Sequence, residues 1–298
     1  FTFVSLAFLK FLVTAREKSY IRNAFGHYLA ADVINELLVD PDKLRLGGEK
    51  KHMTAIFTDV KGFSTISEQL DPTDLVRLLN LYLTRMSDTI MDLRGTIDKY
   101  EGDAIIAFFG APVSYPEHAA NALESAVRMK KIEAELNEQF LRDKLSPLPL
   151  LTRIGINTGD MVVGNMGSHQ IFDYTVIGNE VNTASRLEPL NKDFGTRIIV
   201  AGATQLEAEQ HRPGHFAFRS LGCVSPKGRA EPLDIFELVG WRERLDEPQR
   251  ARLAAFEEAM EHYLARRFEE ALRRFRGIAE QSQDGPAARF AALCEDHL

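Results

Sequence analysis

Apolar and polar positions alternate with different periods along the chain, and the changes of period outline its elements. An apolar run from His52 to Asp59 predicts a short strand. Gly62-Phe63-Ser64 then turns into a helix, which Pro72 restarts and which continues to about Arg94. Residues 95–100 and 103–109 read as two strands joined by the turn Glu101-Gly102, which leaves Asp103 at the hairpin tip. Ala119, Ala122, Leu123, Ala126, Met129, Ile132 and Leu136 recur at helical spacing, so a long helix is expected over 116–141. Pro147 and Pro149 punctuate, and a strand follows at 150–157. A stretch rich in Gly and Met, 159–173, leads to Tyr174-Thr175-Val-Ile-Gly178. After it come a helix at 180–191, a strand at 197–200, a short helix, and strands near 216–223 and 232–238.

The order β-α-β-β-α-β predicts an α+β domain over 49–240. Its sheet should be mainly antiparallel with helices on one face, the ferredoxin-like arrangement. Residues 17–48 carry helical spacing in Tyr20, Ile21, Phe25, Tyr28, Leu29, Val33, Ile34, Leu37 and Leu38, and read as a helical connector. Before them, residues 1–16 hold a mostly apolar run shorter than the ~20 residues of a full span, followed by Arg16 and Lys18. Two readings are open: the last turns of a membrane helix, or an amphipathic helix packed on a partner. Past Gly240 the composition shifts to Arg, Glu and Ala. Apolar residues at Phe256, Met260, Tyr263, Leu264, then Phe268, Ala271, Leu272 and Phe275 predict a helical hairpin in 241–298. Its second half is similar to a tetratricopeptide unit, and a helical cap on the main domain is the competing reading.

Composition narrows the function classes. With 298 residues, 45% hydrophobic and 27% charged, the chain suits a globular protein of about two domains. A net charge of -7 disfavours nucleic acid as a partner, because displacing counterions from phosphates needs a basic surface. Cys223 and Cys294 lie far apart without metal-ligand spacing, which argues for a reducing compartment and against a disulfide or zinc framework.

The candidate chemistry is phosphoryl transfer. Asp59 and Asp103 stand at the ends of apolar strands, where paired carboxylates can hold metal ions against a polyphosphate. Asn182 and Arg186, four apart, project an amide and a guanidinium from one helix face. Strand, glycine turn and helix in that order aim the backbone N–H groups of Gly62, Phe63 and Ser64 at an anion. Singly, each of these residues is ordinary: a turn aspartate, an exposed helix-face pair. Their joint order carries the reading.

Five blocks, Phe57-Thr-Asp59-Val-Lys-Gly-Phe-Ser64, Lys99-Tyr-Glu-Gly-Asp103, Gly155-Ile-Asn-Thr-Gly159, Asp173-Tyr-Thr175-Val-Ile-Gly178 and Asn182-Thr-Ala-Ser-Arg186, resemble the class III nucleotidyl cyclase catalytic domain. The resemblance implies that Asp59 and Asp103 hold two ions, Mg²⁺ or Mn²⁺, per site. It implies that Lys99 and Thr175 read the base, and that Asn182 and Arg186 orient the ribose and stabilise the transition state. Lys227, in Ser-Pro-Lys-Gly-Arg, is a candidate for the terminal phosphate. The implied reaction is cyclisation of ATP to 3′,5′-cyclic AMP and pyrophosphate. Lys99 only donates, to adenine N1, whereas the Thr175 hydroxyl can accept from the N6 amino group; guanylyl cyclases of the family carry Glu and typically Cys there. Thr at 175 resembles the subgroup that includes bicarbonate-stimulated cyclases. In the family one site draws on two subunits, which implies a head-to-tail homodimer. The N-terminal segments imply the cytoplasmic output of a membrane receptor. A catalytically silent nucleotide-binding module is the alternative from another class.

Overall fold

The computed structural model describes residues 47–168, 172–225 and 231–298. The apolar start, nearly all of the connector and Lys227 lie outside the described residues. Among the described residues no helix is long and apolar enough to cross a membrane.

The strands are β1 (Gly47–Val60), β2 (Gly95–Glu101), β3 (Ala104–Phe109), β4 (Thr152–Gly167), β5 (Phe172–Ile177), β6 (Ile198–Ala201), β7 (Phe216–Val224) and β8 (Leu233–Trp241). The helices are α1 (Phe63–Glu68), α2 (Pro72–Asp92), α3 (His118–Arg142), α4 (Asn179–Phe194), α5 (Gly202–His211), α6 (Glu247–Leu264), α7 (Phe268–Ser282) and α8 (Gly285–Glu295). They build one sheet in the order β2-β3-β1-β4-β6-β8-β7, with β5 paired to β4. The β4–β6 pairing is parallel and the others are antiparallel. The first four strands, with α2 and α3 as crossovers, have the expected ferredoxin-like arrangement.

The second half of β1, from Met53 to Val60, lies inside the sheet and is buried on both faces, which is why it reads as a mostly apolar run rather than an alternation. Ile56 and Val60 face α2 and α3, where they pack with Leu78, Tyr82, Met86 and Leu123. Met53 and Ala55 face the other way, against Phe108, Met161, Val163 and Val176. That second face is covered by Val181 and Ala184 of α4, so helices lie on both faces of the sheet rather than on one. α4 is the reason: it lies outside the βαββαβ unit and carries its own apolar stripe.

Three boundaries differ from expectation. β4 runs on through the Gly- and Met-rich stretch to Gly167, because Gly47–His52 of β1 and all of β5 pair with it there. The hairpin turn is Gly102-Asp103, one residue later than expected, since Glu101 pairs with Ala104. Gly102 supplies the required positive φ of 66°. The C-terminal segment holds a third helix, α8, beyond the expected hairpin. Phe256, Phe275 and Phe290 of α6, α7 and α8 form a core with Leu187, Phe194, Leu221 and Ile235, so the segment caps the main domain. Buried Arg219 on β7 ties them together: Nη1 donates to both Asp284 oxygens at 2.8 and 2.7 Å and Nε to Glu237 at 2.7 Å. Asp284 also caps α8 by accepting from the Ala287 N–H.

α4 crosses β4 so closely that no side chain fits between them at Gly155. A Cβ there would meet the Glu188 nitrogen at 2.3 Å and the Ala184 carbonyl oxygen at 2.6 Å, both backbone atoms. Gly155→Ala is therefore expected to push α4 outward and lower stability by about 1–3 kcal/mol. Denaturant unfolding checks it; an unchanged midpoint would contradict so tight a crossing.

Candidate active site

β1 ends at Asp59 and Val60, and the β2–β3 hairpin is clamped beside that end. The Ile105 N–H donates to Thr58 Oγ1 at 3.0 Å, and the Val60 N–H donates to Asp103 Oδ2 at 2.9 Å. The two expected metal-binding carboxylates thus meet at one strand end although they are far apart in sequence. Burial raises the Asp103 carboxyl above its ordinary value, and the charge of Asp59 adds to the rise. The donors are all oxygen, the chemistry that Mg²⁺ and Mn²⁺ take, and a cation would relieve the repulsion within the pair. The residues present therefore fit such an ion.

Two further side chains complete this cluster. Arg153 stands directly opposite Asp59 in the β1–β4 register, and its Nη2 donates to Asp59 Oδ2. Its Nε lies 2.7 Å from Glu188 Oε1 on α4; the alignment is too poor for a hydrogen bond, so the contact is an ion pair. Burial pushes the Glu188 carboxyl up to about 7, and Asp59 and Asp103 push the same way against Arg153. Neither Arg153 nor Glu188 was expected at the site. The available signal was an arginine within an otherwise apolar strand, and its partner could be named only once the register was known.

A second cluster forms where β5 approaches β2. Lys99 Nζ lies 3.4 Å from Thr175 Oγ1, and the Thr175 hydroxyl donates to Asp98 Oδ2 at 2.9 Å. Lys99 and Asp98 are neighbours in sequence and would point to opposite faces of a regular strand. A bulge between Ile97 and Lys99 breaks the pairing with β3 and re-aims them. Asp98 is buried, its Oδ1 has no hydrogen bond, and Lys99 Nζ stands 3.5 Å from that oxygen. Burial raises the Asp98 carboxyl above its ordinary value, against the bond from Thr175 and the charge of Lys99. Asp98 too was missed, because a bulge leaves no mark in the hydrophobic pattern.

Of the other expected residues, those within the described part of the chain are not joined to either cluster, and Lys227 lies outside it. Asn182 and Arg186 share a face of α4, Asn182 exposed and Arg186 half-buried. Gly62, at φ 69°, starts α1 without a side-chain cap, and Phe63 and Ser64 form its first turn.

The model for the adenylate and guanylate cyclase catalytic domain matches residues 48–239. Adenylate cyclase 1 of Rhizobium meliloti (strain 1021) is 38% identical over 192 residues, covering 64% of this chain and 28% of that protein. The chain therefore spans well under two thirds of that relative. Crystal structures of the guanylyl cyclase Cya2 and of the adenylyl cyclase CyaB from P. aeruginosa are both 35% identical, with TM-scores of 0.59 and 0.60. Each match covers 67% of this chain, and 98% and 100% of the respective structure.

The raised Glu188 carboxyl has a pH signature. Its folded value of about 7 lies above the ordinary 4.5, so between these pH values the folded chain holds a proton that the unfolded chain has released. This contribution to stability is complete below 4.5 and is lost as pH rises through 7. In chelator-treated protein the melting temperature should fall more steeply over that window for the parent than for Glu188→Gln. Parallel profiles would contradict the assignment.

Proposed function

Because the chain belongs to the family of adenylate and guanylate cyclase catalytic domains, we propose that it converts ATP to 3′,5′-cyclic AMP and pyrophosphate. The ribose 3′ oxygen attacks the α-phosphorus as the bond to the β-phosphate breaks; the hydroxyl proton is lost and pyrophosphate leaves. The relatives include both an adenylyl and a guanylyl cyclase at equal identity, so the choice of base rests on this chain's own residues.

The carrying observation is the Lys99–Thr175–Asp98 arrangement. With its proton committed to Asp98, the Thr175 oxygen faces a base only as an acceptor, which suits adenine N6. Lys99, a donor only, suits N1. Guanine presents a carbonyl oxygen and an N–H at the same two positions, and both would be mismatched. Such polar mismatches discriminate far better than shape, because they leave polar groups unpaired.

Asn182 orients the ribose, Arg186 spreads the charge that develops on the phosphate, and Gly62, Phe63 and Ser64 hold the β and γ phosphates through backbone N–H groups. Asp59 and Asp103 hold the divalent cations, Mg²⁺ or Mn²⁺, two per site. When bound, these ions supply Lewis-acid stabilisation of the phosphates and a more acidic 3′ hydroxyl. Lys227 is assigned to the terminal phosphate by its motif alone. The working unit is a head-to-tail homodimer in which the aspartates of one chain face the base-reading residues of the other. This reading is supported by the family resemblance and by Asn182 and Arg186, which bond to neither cluster of their own chain. Attachment to a membrane rests on residues 1–16 of the sequence.

Product formation from ATP and from GTP, with Mg²⁺ or Mn²⁺ and across protein concentration, tests the proposal. Cyclic AMP is expected, with specific activity rising with concentration. Predominant cyclic GMP would overturn the base assignment, and bound nucleotide without product would favour the silent module. Mixing inactive Asp59→Ala and Arg186→Ala chains should recover about a quarter of parental activity, since half the dimers are mixed and each has one intact site. No recovery from confirmed heterodimers would rule out shared sites. Asp98→Asn offers Thr175 an amide donor and frees its hydroxyl to donate. The ATP-to-GTP ratio of kcat/KM should then shrink by about 10–100-fold, the worth of a charge-assisted hydrogen bond; an unchanged ratio would remove Asp98 from base selection.

A further inference from the structure

Seven residues before Asp59 on β1, roughly 23 Å along the strand, a third cluster of titratable groups plays no part in the cyclase reading. His52 of β1, His118 at the start of α3 and Glu207 of α5 bring candidate ligand atoms within 4.8 Å of one another. Each Glu207 oxygen faces one imidazole: Oε1 is 2.6 Å from His52 Nε2, and Oε2 is 3.9 Å from His118 Nε2. The two rings are edge to face with centroids 5.7 Å apart.

In both histidines the other ring nitrogen is already engaged. His52 Nδ1 is 2.9 Å from Asp160 Oδ1, across the β1–β4 ladder, where an imidazole N–H donates to a carboxylate. His118 Nδ1 is 2.8 Å from Thr54 Oγ1, the first of a buried hydroxyl chain. Thr158 donates to Thr204 at 3.0 Å, so the 2.8 Å contact between Thr54 and Thr158 must take its proton from Thr54. Thr54 can then only accept from His118. The hydroxyl chain therefore fixes neutral His118 with its proton on Nδ1 and its lone pair on Nε2, directed at Glu207. Burial lowers the His118 pKa and favours this neutral form. A carboxylate or hydroxyl behind each imidazole is the arrangement that orients histidine for a metal.

We propose that His52 Nε2, His118 Nε2 and the Glu207 carboxylate form a binding site for a divalent transition ion of the Zn²⁺ class. Two imidazoles and one carboxylate suit Zn²⁺ and its neighbours better than Mg²⁺ or Ca²⁺. Tetrahedral bonds of about 2.0–2.1 Å place ligand atoms ~3.3 Å apart, a small adjustment from the present separations. The exposed side of His52 leaves the fourth position to water or an exogenous ligand. Both His52 nitrogens now face carboxylates, so binding displaces the Nε2 proton to solvent as the metal–nitrogen bond forms. An ion there would cross-link β1, α3 and α5.

The test uses the full chain, stripped with chelator and titrated with Zn²⁺ against a chromophoric chelator. Excess Mg²⁺ is present to occupy the carboxylates at Asp59 and Asp103. The parent should bind one Zn²⁺ per chain, and Co²⁺ in its place should give the intense visible absorption of four-coordinate cobalt. His52→Ala, at an exposed position, should weaken binding roughly 100-fold or more, and Asp160→Asn by about 10–100-fold. Asp59→Asn should leave it unchanged. Absence of Zn²⁺ binding in the parent, equal affinity in His52→Ala, or loss confined to Asp59→Asn would each overturn the proposal.

Discussion

The register of the β1–β4 ladder is the constraint on which the rest of the structure depends. All fourteen residues of β1 pair antiparallel with β4, from Gly47 opposite Asn165 to Val60 opposite Thr152. At one end this sets Asp59 across from Arg153, and seven residues earlier His52 across from Asp160. In the middle it sets Thr54 across from Thr158, where the hydroxyl chain to His118 begins. A slip by one residue would turn every side chain to the opposite face. It would move Asp59 off Arg153 and expose Ile56 to the core built for Ala55. Burial of both faces makes such a slip costly, so the cores hold the registration on which both polar clusters rely.

Electrostatics at the Asp59 end run against stability. Asp59, Asp103 and Glu188 converge on the single guanidinium of Arg153; burial raises the Asp103 and Glu188 carboxyls, and the charges of the neighbouring carboxylates add to the rise. This group of buried and half-buried carboxylates is held together by the packing around it: Gly155 lets α4 close on β4, and Thr58 clamps the hairpin. Under the proposed function this imbalance is what a divalent cation would use. Charge repulsion in the metal-free chain becomes cation affinity, so a better neutralised cluster would be more stable and bind less well.

What the sequence disclosed followed from how local each signal is. The apolar run at 52–59, the hairpin and the long helices are encoded within a few residues, and their positions agree with the fold. The sequence places the end of β4 too early because Gly159, Gly164 and Gly167 resemble loop punctuation, whereas they lie in a strand paired on one side with β1, over a hundred positions earlier, and on the other with β5. The expected hairpin stops at Phe275 and does not include α8, which Asp284 caps and whose first turn holds Pro286, a position that suits proline. Lys99 and Thr175, 76 residues apart, were linked only through the family blocks. Arg153, Glu188 and Asp98 depend on register, a helix crossing and a bulge, none of which has a local signature.

Under the proposed function, Asp98 also bears on how a threonine would read a base. An ionised carboxylate at position 175 would be acceptor-only by its chemistry. A hydroxyl is not: it can donate as readily as accept, and would serve an adenine amino group or a guanine carbonyl alike. The bulge in β2 places the buried carboxylate of Asp98 where it accepts the hydrogen bond of that hydroxyl. The carboxylate function is thereby moved one side chain back, with Thr175 presenting its oxygen and Asp98 fixing the polarity. Buried Asp98 with one unsatisfied oxygen is costly on its own, and the nearby ammonium of Lys99 offsets part of that cost. Base selection under the proposed function is thus a property of three coupled residues, and the identity of residue 175 alone does not determine it.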